Sequence, residues 1–358
     1  MRRKLVTPAA LCLTAALVGL PAVRGAAAPP RGLRPRVGFA HGAGRAAAPM
    51  HLSIMVGGLS KQIYLPNELT QRLGYFAQQG LDMRLIDEAS GQSSENEVLA
   101  GAVQAGSGAY NHTIELQALG KYMTDVVQLG DAPGEAEMVA TKEAGRIKSF
   151  KDLRGRKLGI TEFGSGTQTL SSYLAVRNGI PVSEVHFVPV GAGDTFIAAI
   201  QHGTIDAGMT TEPTISRLVQ SGLAKVLVDL RTPASTRAAL GGDYPFICLF
   251  MKTDYVTSHK AVVQKVVNAY VKTLKWIHTH SAAQIAAKMP ADYYAGNKAL
   301  YVTALEGQLG MFSPDGRMPS DGPASVLKVE QQFNSSVQGK HIDLSKTYDG
   351  EFVANANK

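Results

Sequence analysis

A segment built around two glycines occurs twice in this chain. Aligning Gly101 with Gly203 also aligns Gly106 with Gly208. Each copy has the pattern of a helix that ends at a glycine, followed by a short apolar strand containing the second glycine and then by a polar turn. The period is too long for a solenoid, whose repeats are about 20 to 50 residues. The repeat therefore predicts two related α/β lobes with a cleft between them.

Short apolar segments alternate with segments of helical spacing along the body of the chain. This alternation is typical of α/β folds, so we expect each lobe to be a mostly parallel sheet flanked by helices. The apolar segment 246–251 follows the second copy, and no third copy comes after it. We therefore expect the chain to return there to the first lobe. The predicted first lobe comprises residues 50–135 and 245–358, the second comprises residues 136–244, and the two crossings form a hinge.

Apolar spacing and turn residues also predict individual elements. A continuous helix is expected over residues 64–79, and the composition of residues 233–245 is typical of a turn-rich crossover. A hydroxyl or carboxylate side chain commonly caps the start of a helix. We expect Ser93 or Ser94 to cap the helix of the first repeat copy, and Asp194 or Thr195 to cap that of the second.

The amino terminus has the pattern of a secretory signal. Basic residues at 2–4 precede the apolar segment 11–20, and small residues follow it. The apolar segment is too short to span a bilayer. We expect residues 1–25 to be a signal peptide and residues 26–50, rich in Ala, Arg, Gly and Pro, to be a flexible linker. The mature protein is then expected in the periplasm.

The net charge of +7 comes from this leader. Residues 1–50 hold eight basic residues and no acidic ones, which leaves 28 basic and 29 acidic residues in the rest of the chain. Proteins that follow a phosphate backbone carry a basic surface. The nearly neutral body therefore argues against a nucleic-acid partner.

Cysteine and histidine placement argues against several chemistries. Cys248 is the one cysteine left once the leader is removed, so it cannot form an internal disulfide, and its apolar neighbours predict a buried strand residue. The sequence contains no Cys/His cluster with zinc-site spacing. His112 and nearby serines suggest a hydrolase, but no serine has the Gly-x-Ser-x-Gly pattern of a nucleophile elbow. We expect no cofactor and no metal.

Polar turns follow the predicted strands in both halves of the chain. Ligands of open α/β sheets gather beyond the carboxyl ends of the strands, where helix starts favour negative charge. Each turn, taken alone, is equally explained as a helix cap. The predicted ligand-binding residues are Leu59, Tyr64, Gln92, Ser93, Ser94, Tyr110, Asn111, His112, Gly164, Ser165, Gly166, Thr167, Asp194, Thr195, Thr211 and Glu212.

Two of these turns are the most informative. The glycines of segment 163–167 allow the backbone to approach a ligand closely, and the segment lacks the lysine of a phosphate-binding loop. Glu212 precedes Pro213, so it either favours the helix dipole or accepts from an amine or hydroxyl of a ligand. Tyr64 and Tyr110 are candidate aromatic walls or ordinary packing residues.

Four motifs in order give the chain a family resemblance over almost its whole body. They are Leu-Gly-Tyr-Phe at 73–76 with Gly-Leu-Asp at 80–82, Leu-Ala-Gly at 99–101, Leu-Arg-Gly-Arg-Lys-Leu-Gly at 153–159 and Gly-Thr-Ile-Asp-Ala-Gly at 203–208. The chain resembles the substrate-binding proteins of ABC importers in the nitrate/sulfonate/taurine group, which share the SsuA/THI5-like, periplasmic-binding-protein fold. Gln104 stands where the family usually has an acid, which affects the turn and leaves function open.

The resemblance implies a function and its alternatives. It implies a monomeric solute-binding component of an ABC importer, which captures a small organic anion or zwitterion and delivers it to a membrane permease. The alternatives are a sensor that reports to a membrane kinase and binding or synthesis of a pyrimidine precursor. Pyrimidine-synthesising relatives carry a cysteine-rich catalytic segment and a histidine consumed as substrate. Because Cys248 is the one mature cysteine, we expect this chain not to be an enzyme.

The two-lobe prediction also implies a binding mode. We expect a solute to bind between the lobes and the hinge to close over it. In this hypothesis Ser93, Ser94 and the segment 164–167 hold the acidic end of the solute from opposite sides, and Glu212 accepts from a donor at its other end.

Overall fold

A computed structural model of the chain describes residues 49–358. The predicted signal peptide and almost all of the predicted linker lie outside this range. Within it, none of the helices combines the length and the hydropathy needed to cross a membrane.

The described chain alternates strands and helices, with additional helices at the carboxyl end. The strands are β1 Met50–Val56, β2 Leu81–Asp87, β3 Ala105–Ala109, β4 Met123–Gln128, β5 Glu135–Ala140, β6 Lys157–Ile160, β7 His186–Pro189, β8 Ala207–Thr211, β9 Ala224–Leu230 and β10 Ile247–Lys252. The helices are α1 Leu65–Arg72, α2 Tyr75–Gln78, α3 Gly91–Ala100, α4 Asn111–Ala118, α5 Gly166–Arg177, α6 Asp194–His202, α7 Thr214–Gln220, α8 Pro233–Leu240, α9 Thr253–Ser258, α10 Lys260–Ile277, α11 Ala282–Ala286, α12 Lys298–Gln308, α13 Gly322–Phe333 and α14 Glu351–Ala356.

The strands form two five-stranded sheets of the same topology. The first has the order β2-β1-β3-β10-β4 and the second has the order β7-β6-β8-β5-β9. In the first sheet β1 pairs in parallel with β2 and β3, whereas β10 pairs antiparallel with β3 and β4. In the second sheet β6 and β5 take the corresponding roles. We call the part of the molecule built on the first sheet lobe one and the part built on the second lobe two.

The predicted α/β fold of two lobes is confirmed: each sheet is mixed, with four of its five strands running in one direction and one crossing strand running the other way. Strand β5 is the first strand after the chain passes from lobe one to lobe two, and β10 is the first after it returns. Each therefore enters its sheet from the side of the other lobe and runs opposite to its neighbours. The sequence pattern of a buried strand carries no direction, so the one antiparallel strand in each sheet could not be predicted from it.

The repeated segments occupy the same place in the two sheets. Gly101 ends α3 and Gly203 ends α6, both in the left-handed region with φ of 80° and 75°. Gly106 lies in β3 and Gly208 in β8. A Cβ atom on Gly208 would come within 2.5 Å of the Gly159 carbonyl oxygen, so this position holds two strands at a close approach.

Several predicted elements differ from the observed ones. The predicted helix over 64–79 is divided at Gly74, whose φ of 71° is left-handed, into α1 and α2. The predicted crossover over 233–245 contains α8, because the Thr232 side chain accepts a bond from the Ser235 amide and Pro233 fits the first helical position.

The predicted caps are also wrong. Ser90, not Ser93 or Ser94, caps α3 by accepting bonds from the amides of Gln92 and Ser93. Gly193 precedes α6, so Asp194 and Thr195 are its first residues rather than its cap. In both cases the helix starts earlier than the polar side chains suggested.

The lobes are in contact, and a carboxylate from one reaches a helix start in the other. Glu162 of lobe two accepts bonds from the Ser90 hydroxyl and from the Ser93 amide and hydroxyl, the last two at 3.1 and 2.9 Å. The Gln62 amide of lobe one also donates to the Glu212 carbonyl of lobe two at 3.0 Å. Negative charge at a helix start is stabilised by the free amides and the dipole. We call the contact of Glu162 with Ser90 and Ser93 the Glu162 latch.

We call the arrangement in which the two lobes touch the closed arrangement. Substitution of Glu162 by alanine should destabilise it. Removing a charged acceptor from its donors costs about 1 to 3 kcal/mol, so the closed population of the ligand-free protein should fall roughly five- to a hundredfold relative to the open one. Small-angle scattering should then give a larger radius of gyration for the variant. Glu184→Ala is the control, because Glu184 pairs with Arg154 inside lobe two. Equal radii for the two variants would show that the latch does not hold the lobes together.

Buried carboxyl groups predict a pH-dependent stability. Burial raises the pKa of Glu137 to about 8, although the Ser171 hydroxyl, 2.7 Å away, opposes the rise. An unfolded glutamate titrates near 4.3, so between these pH values the folded chain keeps a proton that the unfolded chain releases. Glu137 therefore lowers the free energy of unfolding progressively as pH rises from about 4 to about 8.

Glu137→Gln should remove this effect. The free energy of unfolding of the variant should exceed that of the wild type increasingly with pH, by at most about 1.4 kcal/mol for each pH unit within that window. Urea unfolding at pH 5 and pH 8 provides the measurement, and Glu306→Gln, at an exposed site on α12, is the control. The prediction is wrong if the difference between variant and wild type is the same at both pH values.

Candidate ligand site between the two lobes

A small cavity lies where the two lobes meet. It leaves about 20 Å³ open to the centre of a water molecule, which is room for little more than one water. Its walls come from both lobes. The lining residues are Lys61, Ile63, Tyr64, Gly91, Ala109, His112 and Phe246 from lobe one, and Glu135, Thr161, Ser165, Gly166, Thr167 and Thr211 from lobe two.

The first turn of α5 forms the lobe-two wall. Ser165 precedes the helix, and its hydroxyl donates to the Glu162 carbonyl at 2.6 Å and lies 2.7 Å from the Thr167 hydroxyl. Any side chain at Gly166 would overlap the ring of Phe246, so only glycine lets this helix start approach lobe one so closely. A helix start favours an anionic group.

A cation and a carboxyl group enter the cavity from opposite lobes. The Lys61 ammonium donates to the carbonyls of Gly57 and Ala89, both at 2.7 Å. Burial lowers the pKa of Lys61 to about 8, although Glu135 opposes the decrease. Burial raises the pKa of Glu135 to about 8, although Lys61 opposes the rise. Glu135 Oε2 has no hydrogen-bond partner among residues 49–358.

Other polar atoms around the cavity are buried and unpaired within the described chain. His112 is fully buried, and neither ring nitrogen makes a hydrogen bond, although Nδ1 lies 3.2 Å from Glu95 Oε2 and 3.6 Å from Glu115 Oε2. The Thr211 hydroxyl is unpaired as well. Buried polar groups in proteins are nearly always paired, so a set of unpaired ones around one cavity indicates a binding site.

The cavity includes part of the predicted site. Its lining contains the predicted residues Tyr64, His112, Ser165, Gly166, Thr167 and Thr211. The lining does not contain the remaining predicted residues, which are Leu59, Gln92, Ser93, Ser94, Tyr110, Asn111, Gly164, Asp194, Thr195 and Glu212.

Several of the excluded side chains already have partners. The buried Glu212 carboxylate accepts from Arg231 at 2.8 Å and from the Ser216 amide and hydroxyl at 2.9 and 3.0 Å, all in lobe two. Ser93 bonds to Glu162 in the latch. The Tyr110 hydroxyl lies 2.5 Å from that of Thr347. In this arrangement the polar atoms of Glu212 and Ser93 are bonded to other residues of the chain, and their expected ligand roles stay predictions.

A second, larger cavity opens beside the first, and the predicted residue Asp194 lines it. It encloses about 480 Å³, and Lys61 lines both spaces. Asp194 lies in it and accepts from Arg217 at 2.5 Å. This larger cavity is also lined by Asp87, Glu88 and Asp292. Lys61 thus stands between the small cavity and the wider space.

The sequence prediction missed Lys61, Glu135 and Phe246. Glu135 begins β5 directly after the first crossing, and Phe246 directly precedes β10 after the second. The two acids Glu135 and Glu137, in a segment that is otherwise apolar, were a signal for this position. Lys61 gave no signal, because it lies in a loop whose contacts are set by tertiary structure.

Comparison with known proteins places the chain in a family. The family model described as NMT1/THI5 like matches residues 66–283. A solved structure from Bordetella bronchiseptica RB50 is 34% identical, with a TM-score of 0.83 over 87% of this chain and 98% of the other.

Two binding proteins share the fold at lower identity. The alkanesulfonate-binding protein SsuA from Xanthomonas axonopodis pv. citri, bound to MOPS, has a TM-score of 0.65 and 16% identity over 85% of this chain and 99% of its own. The periplasmic nitrate-binding protein NrtA from Synechocystis PCC 6803 has a TM-score of 0.66 and 12% identity over 86% of this chain and 88% of its own. The predicted periplasmic-binding-protein fold and family resemblance are therefore confirmed.

A curated relative corrects one prediction. The 4-amino-5-hydroxymethyl-2-methylpyrimidine phosphate synthase THI12 of Saccharomyces cerevisiae is 30% identical over 150 residues, which are 42% of each chain. The chain thus spans about two-fifths of the length of the curated relatives it matches. Because these relatives are named as enzymes, the prediction that the chain is not an enzyme is wrong. The chain belongs to the NMT1/THI5-like family.

Proposed function

We propose that this chain binds a small organic anion or zwitterion between its lobes, as the extracytoplasmic solute-binding component of an ABC importer. One observation carries the proposal. The cavity between the lobes is surrounded by buried polar groups of both signs, several of them unpaired within residues 49–358. A solute that pairs with them recovers the free energy lost by their burial, about 1 to 3 kcal/mol for each group.

The chemistry of the walls favours a zwitterion over a bare inorganic anion. The start of α5, Lys61 and His112 suit the acidic end of a solute. Glu135 suits an amine or another donor of the same solute, the role that was expected of Glu212. Ile63 and Phe246 provide apolar surface for a short carbon body between them.

Binding on this proposal requires the lobes to open. The closed cavity has room for little more than one water, so a solute of several heavy atoms cannot enter it as it stands. The chain crosses between lobes after β4 and after β9, and these two connections are the proposed hinge. On this view the predicted boundary moves by one residue, because Glu135 begins β5 of lobe two: residues 50–134 and 245–358 move as one body and residues 135–244 as the other.

The named relatives support a periplasmic location and a membrane permease as the partner. The structural neighbours SsuA and NrtA are named as sulfonate- and nitrate-binding proteins, and NrtA as periplasmic. The leader predicted at residues 1–25 agrees with export. On this basis we assign the mature chain to the periplasm as a monomer that passes its solute to a membrane permease.

A thermal-shift screen followed by calorimetry tests the proposal. Taurine, alkanesulfonates, nitrate and zwitterionic amino acids form the first panel, since a ligand at a hundred times its dissociation constant adds about 2.7 kcal/mol. Glu135→Gln and Thr211→Val should each weaken binding of the best compound roughly five- to a hundredfold.

Glu137→Gln is the matched control for Glu135→Gln. Glu137 lies on the same strand as Glu135 and is also buried, but it accepts from Ser171 and does not line the cavity. Scattering should also show compaction of the protein when ligand is added to an opened form such as Glu162→Ala. Unchanged affinity in both cavity variants would refute the cleft site.

Synthesis of a pyrimidine phosphate is a second candidate. It is favoured by the matched synthases and by His112, a buried histidine in the cavity wall without a hydrogen bond. Cys248, the free cysteine, is buried in β10 and does not line the cavity, unlike the cysteine-rich catalytic segment that the resemblance implies for the synthases.

Mass spectrometry separates the two functions. A binding protein returns its ligand unchanged, and the mass of the tryptic peptide that contains His112 stays constant. A synthase that consumes a histidine releases a pyrimidine phosphate and alters that peptide. His112→Gln should abolish the product if synthesis occurs, whereas a buried control such as Glu137→Gln should retain it.

A further inference from the structure

His112 belongs to a buried network of acids behind the cavity wall. Its Nδ1 atom faces two carboxylates, Glu95 on α3 at 3.2 Å and Glu115 on α4 at 3.6 Å. The edge of Phe250 packs against the ring, with centroids 6.5 Å apart. Nε2 has no partner within residues 49–358, and the ring lines the cavity. Nε2 is therefore the atom left to meet a solute.

Glu115 connects this histidine to the carboxyl-terminal helices. The Asn111 and Asn334 side-chain amides donate to Glu115 Oε1 at 3.0 and 3.2 Å. Glu330 on α13 is fully buried and shares the Asn334 amide with Glu115, accepting from it at 2.9 Å through Oε2. Its Oε1 atom has no hydrogen-bond partner in the described chain. A proton on that oxygen lets Glu330 donate to Glu115.

We propose that His112 is a charged anchor for an anionic group of the bound solute, and that Glu95, Glu115 and, through Glu115, Glu330 keep it charged. This inference rests on the proposed binding function and defines the acidic end of the solute as a carboxylate, sulfonate or phosphate. Glu330 is a positioning residue in this scheme, because it acts on His112 through Glu115 and touches no solute.

The charges around His112 support this role. Burial lowers the pKa of His112, but Glu115 and Glu95 together raise it more, and Glu162 adds to the rise. Burial and the neighbouring Glu115 hold the pKa of Glu330 well above its usual range, so Glu330 keeps its proton. Across the cavity the titratable groups are Lys61, Tyr64 and Glu135. The imidazolium form is thus favoured below the raised pKa and is lost as pH rises through it.

A proton NMR titration of the ligand-free protein tests the network. The His112 resonances are assigned by their absence in His112→Gln. Their midpoint should lie above the ordinary value near 6.5. Glu115→Gln should lower it by about one pH unit or more, since it removes a nearby opposite charge.

Variants of Glu330 test whether it carries a proton. Glu330→Gln should leave the His112 midpoint unchanged, because an amide can still donate to Glu115. Glu330→Leu should lower the midpoint, because Glu115 then loses a donor. A midpoint that falls equally in both variants would contradict a protonated Glu330, and one that Glu115→Gln leaves unchanged would overturn the network.

Addition of taurine, methanesulfonate or inorganic phosphate tests the anchor. At least one should shift the His112 resonances and raise the midpoint, because a bound anion stabilises the imidazolium. Compaction of the Glu162→Ala variant with any of them, while the His112 resonances stay unshifted, would overturn the anchor and leave the proposed binding function intact. If the three cause neither a shift nor compaction, and the wider thermal-shift panel also shows no binding, the failure lies with the proposed function.

Discussion

Each lobe completes its sheet with a strand that has just arrived from the other lobe, and the site depends on this exchange. The strand β5 pairs with β8 and β9, and β10 pairs with β3 and β4, in both cases antiparallel. Because both crossing strands start at the junction of the lobes, their first residues face the cavity. Glu135 begins β5, and Phe246 precedes β10 and bonds through its carbonyl to the Tyr110 amide at 2.7 Å.

The repeat was enough to predict two lobes because its glycines have backbone roles that few residues can fill. Gly101 and Gly203 end helices in the left-handed region, and Gly208 holds β8 against β6. Such constraints are local and leave a trace in the sequence. Strand direction leaves no such trace, since β5 and β10 are buried on both faces and read as apolar whichever way they run.

The site was harder to predict than the fold, for a physical reason. Helix starts can be recognised from Ser, Thr and Gly, and the start of α5 does line the cavity. A helix start can bind a ligand only if no other side chain of the protein occupies it. The side chains that occupy helix starts here come from distant parts of the sequence. Ser93 is bonded to Glu162 and the Glu212 carboxylate to Arg231, partners that their positions at helix starts did not predict. Lys61 becomes a wall residue only when the lobes meet.

The closed cavity combines charges that are costly to bury, and this restricts what can bind. Water solvates Lys61, His112 and Glu135 when the lobes part, and closure removes that water. A bare anion satisfies the cationic side and leaves the Glu135 carboxyl unpaired. A simple cation pairs with the Glu135 carboxyl and leaves Lys61 and His112 unpaired. A solute with an acidic group and a donor replaces water on both of these groups, so electrostatic complementarity favours a zwitterion.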